Sequence, residues 1–228
     1  MDLNVLVLPG DGIGPEVIRE AVKVLAAVTD LAGHRLDAVE GLIGGAALSV
    51  AGKPLPPETR DRARSAGAVL LGAVGSPEFD ALPPDHRPER GLLDLRQAMG
   101  VFANLRPVRA WAPLAGASPL KDAVVAGTDL LIVRELTGGL YYGRPRGLFG
   151  DDTAAEAVNT MQYSYGEVER VARVAFDAAR RRRRKVTSVD KSNVLECSQL
   201  WRRVVAEVAA DYPEVELEHL LVDACAMQ

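Results

Sequence analysis

An apolar run from Asn4 to Leu8 breaks at Pro9-Gly-Asp-Gly-Ile-Gly-Pro15 and gives way to apolar residues at helical spacing from Val17 to Leu31. A buried strand, a glycine turn and a helix in that order constrain the chain strongly, because such a helix must pack back over a sheet. Pro15 suits the first turn of that helix, where a missing N–H leaves nothing unpaired. The alternation continues. Arg35 to Val39 reads as a second strand, Glu58 to Ala66 as a polar helix and Ala68 to Leu71 as a buried strand. Leu92 to Met99 reads as a short helix, Val101 to Val108 as a strand and Asp129 to Val133 as a strongly buried strand. Val168, Val171, Ala172, Ala175 and Ala178 make the apolar stripe of a long helix. Val186 to Val189, Glu196 to Ala210 and Val215 to Val222 follow as strand, helix and strand. The fold class expected is α/β with a largely parallel sheet. Between these elements, Ser76 to Gly91 carries Pro77, Pro83, Pro84 and Pro88 and reads as a functional or mobile loop. Leu140 to Phe149, with two tyrosines, reads as a hairpin or extended arm.

The 228 residues allow one large domain or two small ones. The net charge of -4 gives no bulk attraction to nucleic acid or to an anionic membrane, and no apolar stretch approaches spanning length. The N-terminus does not read as a signal peptide, and the two cysteines, Cys197 and Cys225, are too few for a disulfide framework, so a reducing cytoplasm is expected. Both cysteines read as packing residues.

Arg96, Arg106 and Arg134 each close an otherwise apolar run. A guanidinium in apolar company calls for an anion, and its planar fork matches a carboxylate with two parallel hydrogen bonds. The pattern points to a pocket for a small molecule with more than one carboxylate. The six basic residues Arg180 to Lys185 read as the end of a helix facing its negative pole, rather than as a nucleic-acid contact. Gly10-Asp-Gly-Ile-Gly14 follows a strand and opens a helix, yet Pro15 stands where the third glycine of a dinucleotide fingerprint belongs. A turn that lets a ligand approach the backbone stays open.

Tyr141 and Tyr142 read first as aromatic packing, with proton donation as the alternative. Lys191 could pair with Asp190, or, lodged among arginines, could act as a base near neutral pH. Asp223 reads as an N-cap or as a ligand for a hard metal.

Taken together, Leu8 to Val17, Val69 to Gly75, Gly91 to Arg96, Phe102 to Pro107, Val133 to Gly143, Ser188 to Val194 and Val222 to Met227 resemble the isocitrate/isopropylmalate dehydrogenase family, in order and over essentially the whole chain. The resemblance implies a two-domain fold with a discontinuous cofactor domain. Residues 1–101 would be the first half of that domain, and 102–228 an incomplete substrate-binding and dimerisation domain. It implies NAD-dependent oxidative decarboxylation of 3-isopropylmalate with Mg²⁺ or Mn²⁺, in a homodimer whose active sites are shared between subunits. Arg96, Arg106 and Arg134 match the substrate-carboxylate arginines, Tyr141 and Lys191 the catalytic pair, and Asp223 a metal-binding aspartate that also meets the substrate. Leu92 matches the residue facing the isopropyl group and favours isopropylmalate over isocitrate, homoisocitrate or tartrate. Gly75, Ser76 and Glu89 match a loop reaching the cofactor, and Ile13 and Asn193 residues near the nicotinamide.

Family members continue beyond the position of Gln228. The chain is therefore expected to be C-terminally truncated, with exposed strand edges and apolar faces. By that reading it is either part of the dehydrogenase or an inactive fragment that at most binds or dimerises.

Overall fold

The computed structural model describes residues 1–227. The chain divides into two compact units, Met1–Gly100 and a second beginning at Val101.

The first unit runs β1 (Asp2–Gly10), α1 (Gly14–Leu31), β2 (Arg35–Glu40), α2 (Gly44–Ala51), α3 (Pro57–Ser65), β3 (Ala68–Ala73) and α4 (Pro88–Met99). Its three strands are parallel in the order β2-β1-β3. The Val5–Leu8 stretch of β1 is apolar on both faces because both are covered there. Leu6 and Leu8 pack with Ile43, Ala63 and Leu95, while Val5 and Val7 pack with Ile18. The strand order reverses direction at β1, the place where open α/β sheets leave a crevice at the carboxyl ends of their strands.

The second unit runs β4 (Ala103–Arg109), α5 (Asp122–Val125), β5 (Asp129–Glu135), β6 (Arg146–Phe149), β7 (Glu156–Asn159), α6 (Tyr165–Arg180), β8 (Lys185–Asp190), α7 (Glu196–Ala209), β9 (Glu216–Leu221) and α8 (Val222–Met227). Its core lies between α6 and α7, where Val168, Ala172 and Phe176 meet Val204, Val205 and Val208. A capping box starts α6: the Ser164 and Glu167 side chains each bond the other's backbone N–H.

Several expectations change here. Parallel pairing holds for β1 to β3 and for β8 with β9, but β4/β5 and β6/β7 are antiparallel. The 110–128 connection carries only a short 3₁₀ stretch and α5, not the long helix of a parallel crossover. The 140–149 arm is a 3₁₀ turn at Gly139–Tyr141 followed by the β6/β7 hairpin. The 76–91 loop holds two 3₁₀ turns, and α4 begins inside it at Pro88.

Asp129–Val133 is not strongly buried: Leu130 and Ile132 are about half exposed. Only one face of the β4/β5 pair is covered by α6, and Val108, Leu130 and Ile132 line the other with nothing packed over them among the described residues. Along α1, Val17, Val24, Val28 and Leu31 are exposed while Ile18 and Val22 face the sheet.

Candidate active site

Asp11 lies at the turn after β1, and its buried carboxylate is the hub of the first unit's crevice. It accepts hydrogen bonds from the backbone N–H groups of Gly45 (2.9 Å), Ala46 (2.8 Å) and Gly75 (2.8 Å). One side chain thus ties the glycine turn after β1, the start of α2 and the turn after β3. Gly10 has φ +72°, and a Cβ there would strike the Ala73 carbonyl, which explains a glycine at this crossing of two strands. Ile13 projects from the turn, 59% exposed.

Gly75 lies against Glu89, so that a Cβ on Gly75 would stand 2.8 Å from the Glu89 carboxylate, and Ser76 follows directly. Ile13, Gly75, Ser76 and Glu89 therefore surround the carboxyl ends of β1 and β3. Glu89, Leu92 and Arg96 recur on α4 at spacings of three and four residues, which places them on one helical face. Leu95 and Gly91 turn the opposite way into the core, Gly91 directly over the Pro54 backbone.

In the second unit, antiparallel register sets Asn104 opposite Arg134 and Arg106 two residues along on the same face. Arg106 Nε donates to Asn104 Oδ1 at 2.6 Å. Arg134 Nη2 donates to the Tyr141 phenol oxygen at 3.0 Å, and its guanidinium lies 5.4 Å from the centre of that ring. Tyr141 is half exposed. Its phenol is held by a cation. The arginines are not buried as their apolar neighbours suggested: Arg106 is exposed, and Arg96 and Arg134 partly so. Among the described residues none of the three forms an ion pair. Cations left without carboxylates on an accessible face can take an anionic ligand.

Lys191 and Asp223 sit at the carboxyl ends of the paired strands β8 and β9. Lys191 Nζ donates to Asp223 Oδ1 at 2.6 Å, and this bond holds the Asp223 carboxyl below its ordinary value. Among the described residues Lys191 is therefore paired with Asp223 rather than with Asp190. Asp223 lies inside α8 rather than capping it. Asn193 is exposed in the turn just after Lys191. Among the described residues no hydrogen bond or ion pair joins Lys191 or Asp223 to Arg106, Arg134 or Tyr141, so the second unit carries two separate clusters.

Asp190 itself takes Arg202, which donates from Nε at 2.9 Å and from Nη2 at 3.1 Å, and also the Ser192 N–H at 2.9 Å. Burial pushes the Asp190 carboxyl up, but these bonds outweigh it and leave it below its ordinary value. Burial, with Arg202 nearby, pushes His219 down. Both groups bind protons more weakly folded than unfolded. Unfolding free energy should fall first as pH drops below about 6.5, from His219, and again below about 4, from Asp190. The second decline should be smaller in Asp190→Asn when denaturation is followed from pH 8 to 3, the remainder belonging to Asp129, Glu218 and Asp223, which are also held below their ordinary values.

The 180–185 basic run is taken up by acids. Arg180 meets Glu214 (2.6 Å), Arg182 meets Asp129 (2.9 Å) and Lys185 meets Glu218 (2.9 Å). Arg180 stands in the last turn of α6 and Arg181 at its C-cap, so the run begins at the helix end as expected, and pairing with acids elsewhere in the chain is added to that.

Sequence reasoning missed Asp11, Glu135 and Asp190 as structural anchors. For Glu135 and Asp190 a signal was available: each is an acidic residue at a strand end that accepts N–H groups two or three residues on, whereas the partners of Asp11 lie 34 to 64 residues away and leave no local trace.

The first unit offers a strand-switch crevice, and the second offers cations without carboxylates and a phenol held by one of them, features of an α/β protein suited to small anionic ligands. The family model for isocitrate/isopropylmalate dehydrogenases matches residues 4–228, and the chain belongs to that family. It is 51% identical to the 3-isopropylmalate dehydrogenase of Aquifex aeolicus over 99% of this chain and 62% of that protein. With the enzyme of the same name from a Synechococcus strain it is 57% identical, over 99% of this chain and 61% of the other. Among solved structures, the isocitrate dehydrogenase of Methylococcus capsulatus superposes with TM-score 0.81 at 33% identity, covering 99% of this chain and 62% of that one. The beta-decarboxylating dehydrogenase of Thermococcus kodakarensis gives TM-score 0.71, also at 33% identity. The chain thus spans about three-fifths of the length of the relatives it matches.

Among the described residues no helix is long and apolar enough to cross a membrane, and no group of three or more His, Cys, Asp or Glu could hold a metal ion.

Proposed function

We propose that the protein carrying this chain is an NAD-dependent, cytoplasmic 3-isopropylmalate dehydrogenase of leucine biosynthesis, converting (2R,3S)-3-isopropylmalate to 4-methyl-2-oxopentanoate and CO₂. The observation that carries this reading is the Arg106/Arg134 face with Tyr141 bonded to Arg134. Two cations on one strand face, without carboxylates of their own, suit the two carboxylates of a substituted malate. Leu92, on the same face of α4 as Arg96, offers an apolar contact to a branched substituent where isocitrate would present a third carboxylate.

In this reading residues 1–101 form the first half of the cofactor domain and 102–228 the substrate-binding and dimerisation domain. The crevice around Ile13, Gly75, Ser76 and Glu89 has the open glycine turn and exposed apolar side chain that a flat nicotinamide ring needs. NAD⁺, when bound, takes the hydride from the substrate carbinol carbon. Asp223 would give one carboxylate to Mg²⁺ or Mn²⁺. A single carboxylate already paired with lysine is not a complete site, so the residues described do not by themselves fit the metal.

The chain's own residues do the following. Arg96, Arg106 and Arg134 orient the carboxylates, and their charge favours the enolate left by loss of CO₂. Tyr141 gives its phenol proton to the enolate carbon. In the site of a neighbouring subunit Lys191 would exchange its bond to Asp223 for substrate, give up a proton to solvent and, as the neutral amine, receive the hydroxyl proton. A homodimer with shared sites accommodates the two separate clusters of the second unit.

The test is NADH formation from 3-isopropylmalate with Mg²⁺. Turnover with isocitrate or tartrate but not with isopropylmalate would overturn the substrate assignment. Leu92→Ser should shift the kcat/KM ratio of isopropylmalate to isocitrate toward isocitrate by about 10- to 200-fold, the range set by small changes in an apolar pocket.

A further inference from the structure

The buried carboxylate of Glu135 closes β5, and its side chain is only 1% exposed. It is fully engaged. Oε2 accepts from the backbone N–H of Thr137 (2.9 Å) and of Gly138 (2.7 Å). Oε1 accepts from the Thr137 hydroxyl (2.8 Å) and from Arg170 Nη2 (3.1 Å). Arg170 reaches across from α6, also meets the Thr137 hydroxyl and lies 4.6 Å from the centre of the Phe102 ring.

The turn held in this way is narrow. Gly139 has φ +70°, and a Cβ there would collide with the Tyr163 phenol. Its N–H donates to the Gln162 carbonyl at 2.8 Å. Tyr141 comes two residues later, at the end of the same 3₁₀ turn, and Arg134 precedes Glu135 on the strand. Successive strand side chains point to opposite faces. Glu135 is therefore anchored on the α6 side while Arg134 projects to the other face and meets the phenol. The strand and the turn that carry the two partners of the Arg134–Tyr141 bond are joined through this one carboxylate.

We propose that Glu135, seated by Arg170, is a positioning residue that sets the Tyr141 phenol against Arg134. The proposal rests on the reading of Tyr141 as the proton donor. Asp190 repeats the device beside Lys191: a buried carboxylate at a strand end, an arginine from the next helix, and the N–H of the residue two places on.

The experiment uses protein labelled with ¹³Cζ-tyrosine, the Tyr141 resonance being assigned with Tyr141→Phe. Glu135→Gln keeps the shape but sets an amide N–H₂ against groups that all donate. It should move the Tyr141 resonance toward that of an unconstrained tyrosine and lower kcat about 10- to 100-fold, with KM within about twofold. A folded Glu135→Gln protein with both the resonance and kcat unchanged would sink the idea. If that variant does not fold, Thr137→Val removes the bridging hydroxyl while keeping the buried ion pair. The same shift in direction is expected, and no shift overturns the proposal. Full turnover by Tyr141→Phe would instead remove the proton-donor reading, and the resonance of Tyr141 in Glu135→Gln would still decide the positioning role.

Discussion

Tyr141→Phe should lower kcat for oxidative decarboxylation of 3-isopropylmalate by about 10²- to 10⁴-fold, the range associated with a positioned general acid. The substitution removes one oxygen and keeps the ring. Tyr141 is half exposed, so stability should change by no more than about 0.5 kcal/mol. What is lost is the proton and the bond from Arg134. Arg134 stays in place and remains able to hold a substrate carboxylate, so KM should move little. A loss in kcat with near-constant KM separates an interaction made in the transition state from one made equally in the ground state. Steady-state kinetics on the variant and its parent settle it, and a variant with the parent rate takes the phenol out of the chemistry.

Phe176→Ala should cost about 3–5 kcal/mol of stability in the second unit, as other large-to-small changes in closed cores do. Phe176 is fully buried between α6 and α7 and stacks on Tyr212 with ring centres 5.1 Å apart. Val168 and Val204, its companions in the cluster, are equally enclosed, so little can collapse into the space. Hydrogen exchange at the amides of α6 and α7 measures this directly. Those amides should exchange faster by the factor the lost free energy implies, and unchanged protection would contradict the assignment of the core.

The elements legible in the sequence were those with one covered face and a clear period. α6 is an example, with its stripe of Val168, Val171, Ala172, Ala175 and Ala178. β1 was legible because a strand covered on both faces is uniformly apolar. β5 looked the same and is not: Leu130 and Ile132 are apolar, yet nothing among the described residues packs over them, and hydrophobicity alone does not tell which faces a chain covers. α2 escaped because its Gly44-Gly45 start lacks a helix signal and depends on Asp11, far back in the chain, to take its first N–H groups.

The candidate site divides in the same way. Arg106 and Arg134 stood out as cations closing apolar runs, and strand register brings them together. The partner of Lys191 could not be read from its neighbours. Adjacent strand residues point apart, so Asp190 turned to Arg202 on α7 and Lys191 to Asp223 beyond β9. Pairing across tens of residues is set by the fold, and local sequence carries no trace of it.

Asp11 holds three separate backbone segments through one carboxylate. Those segments lose their conformational freedom when the unit folds, not when a ligand arrives. A molecule entering the crevice between β1 and β3 meets walls that are already preorganised, so its affinity is not reduced by the entropy of closing loops around it.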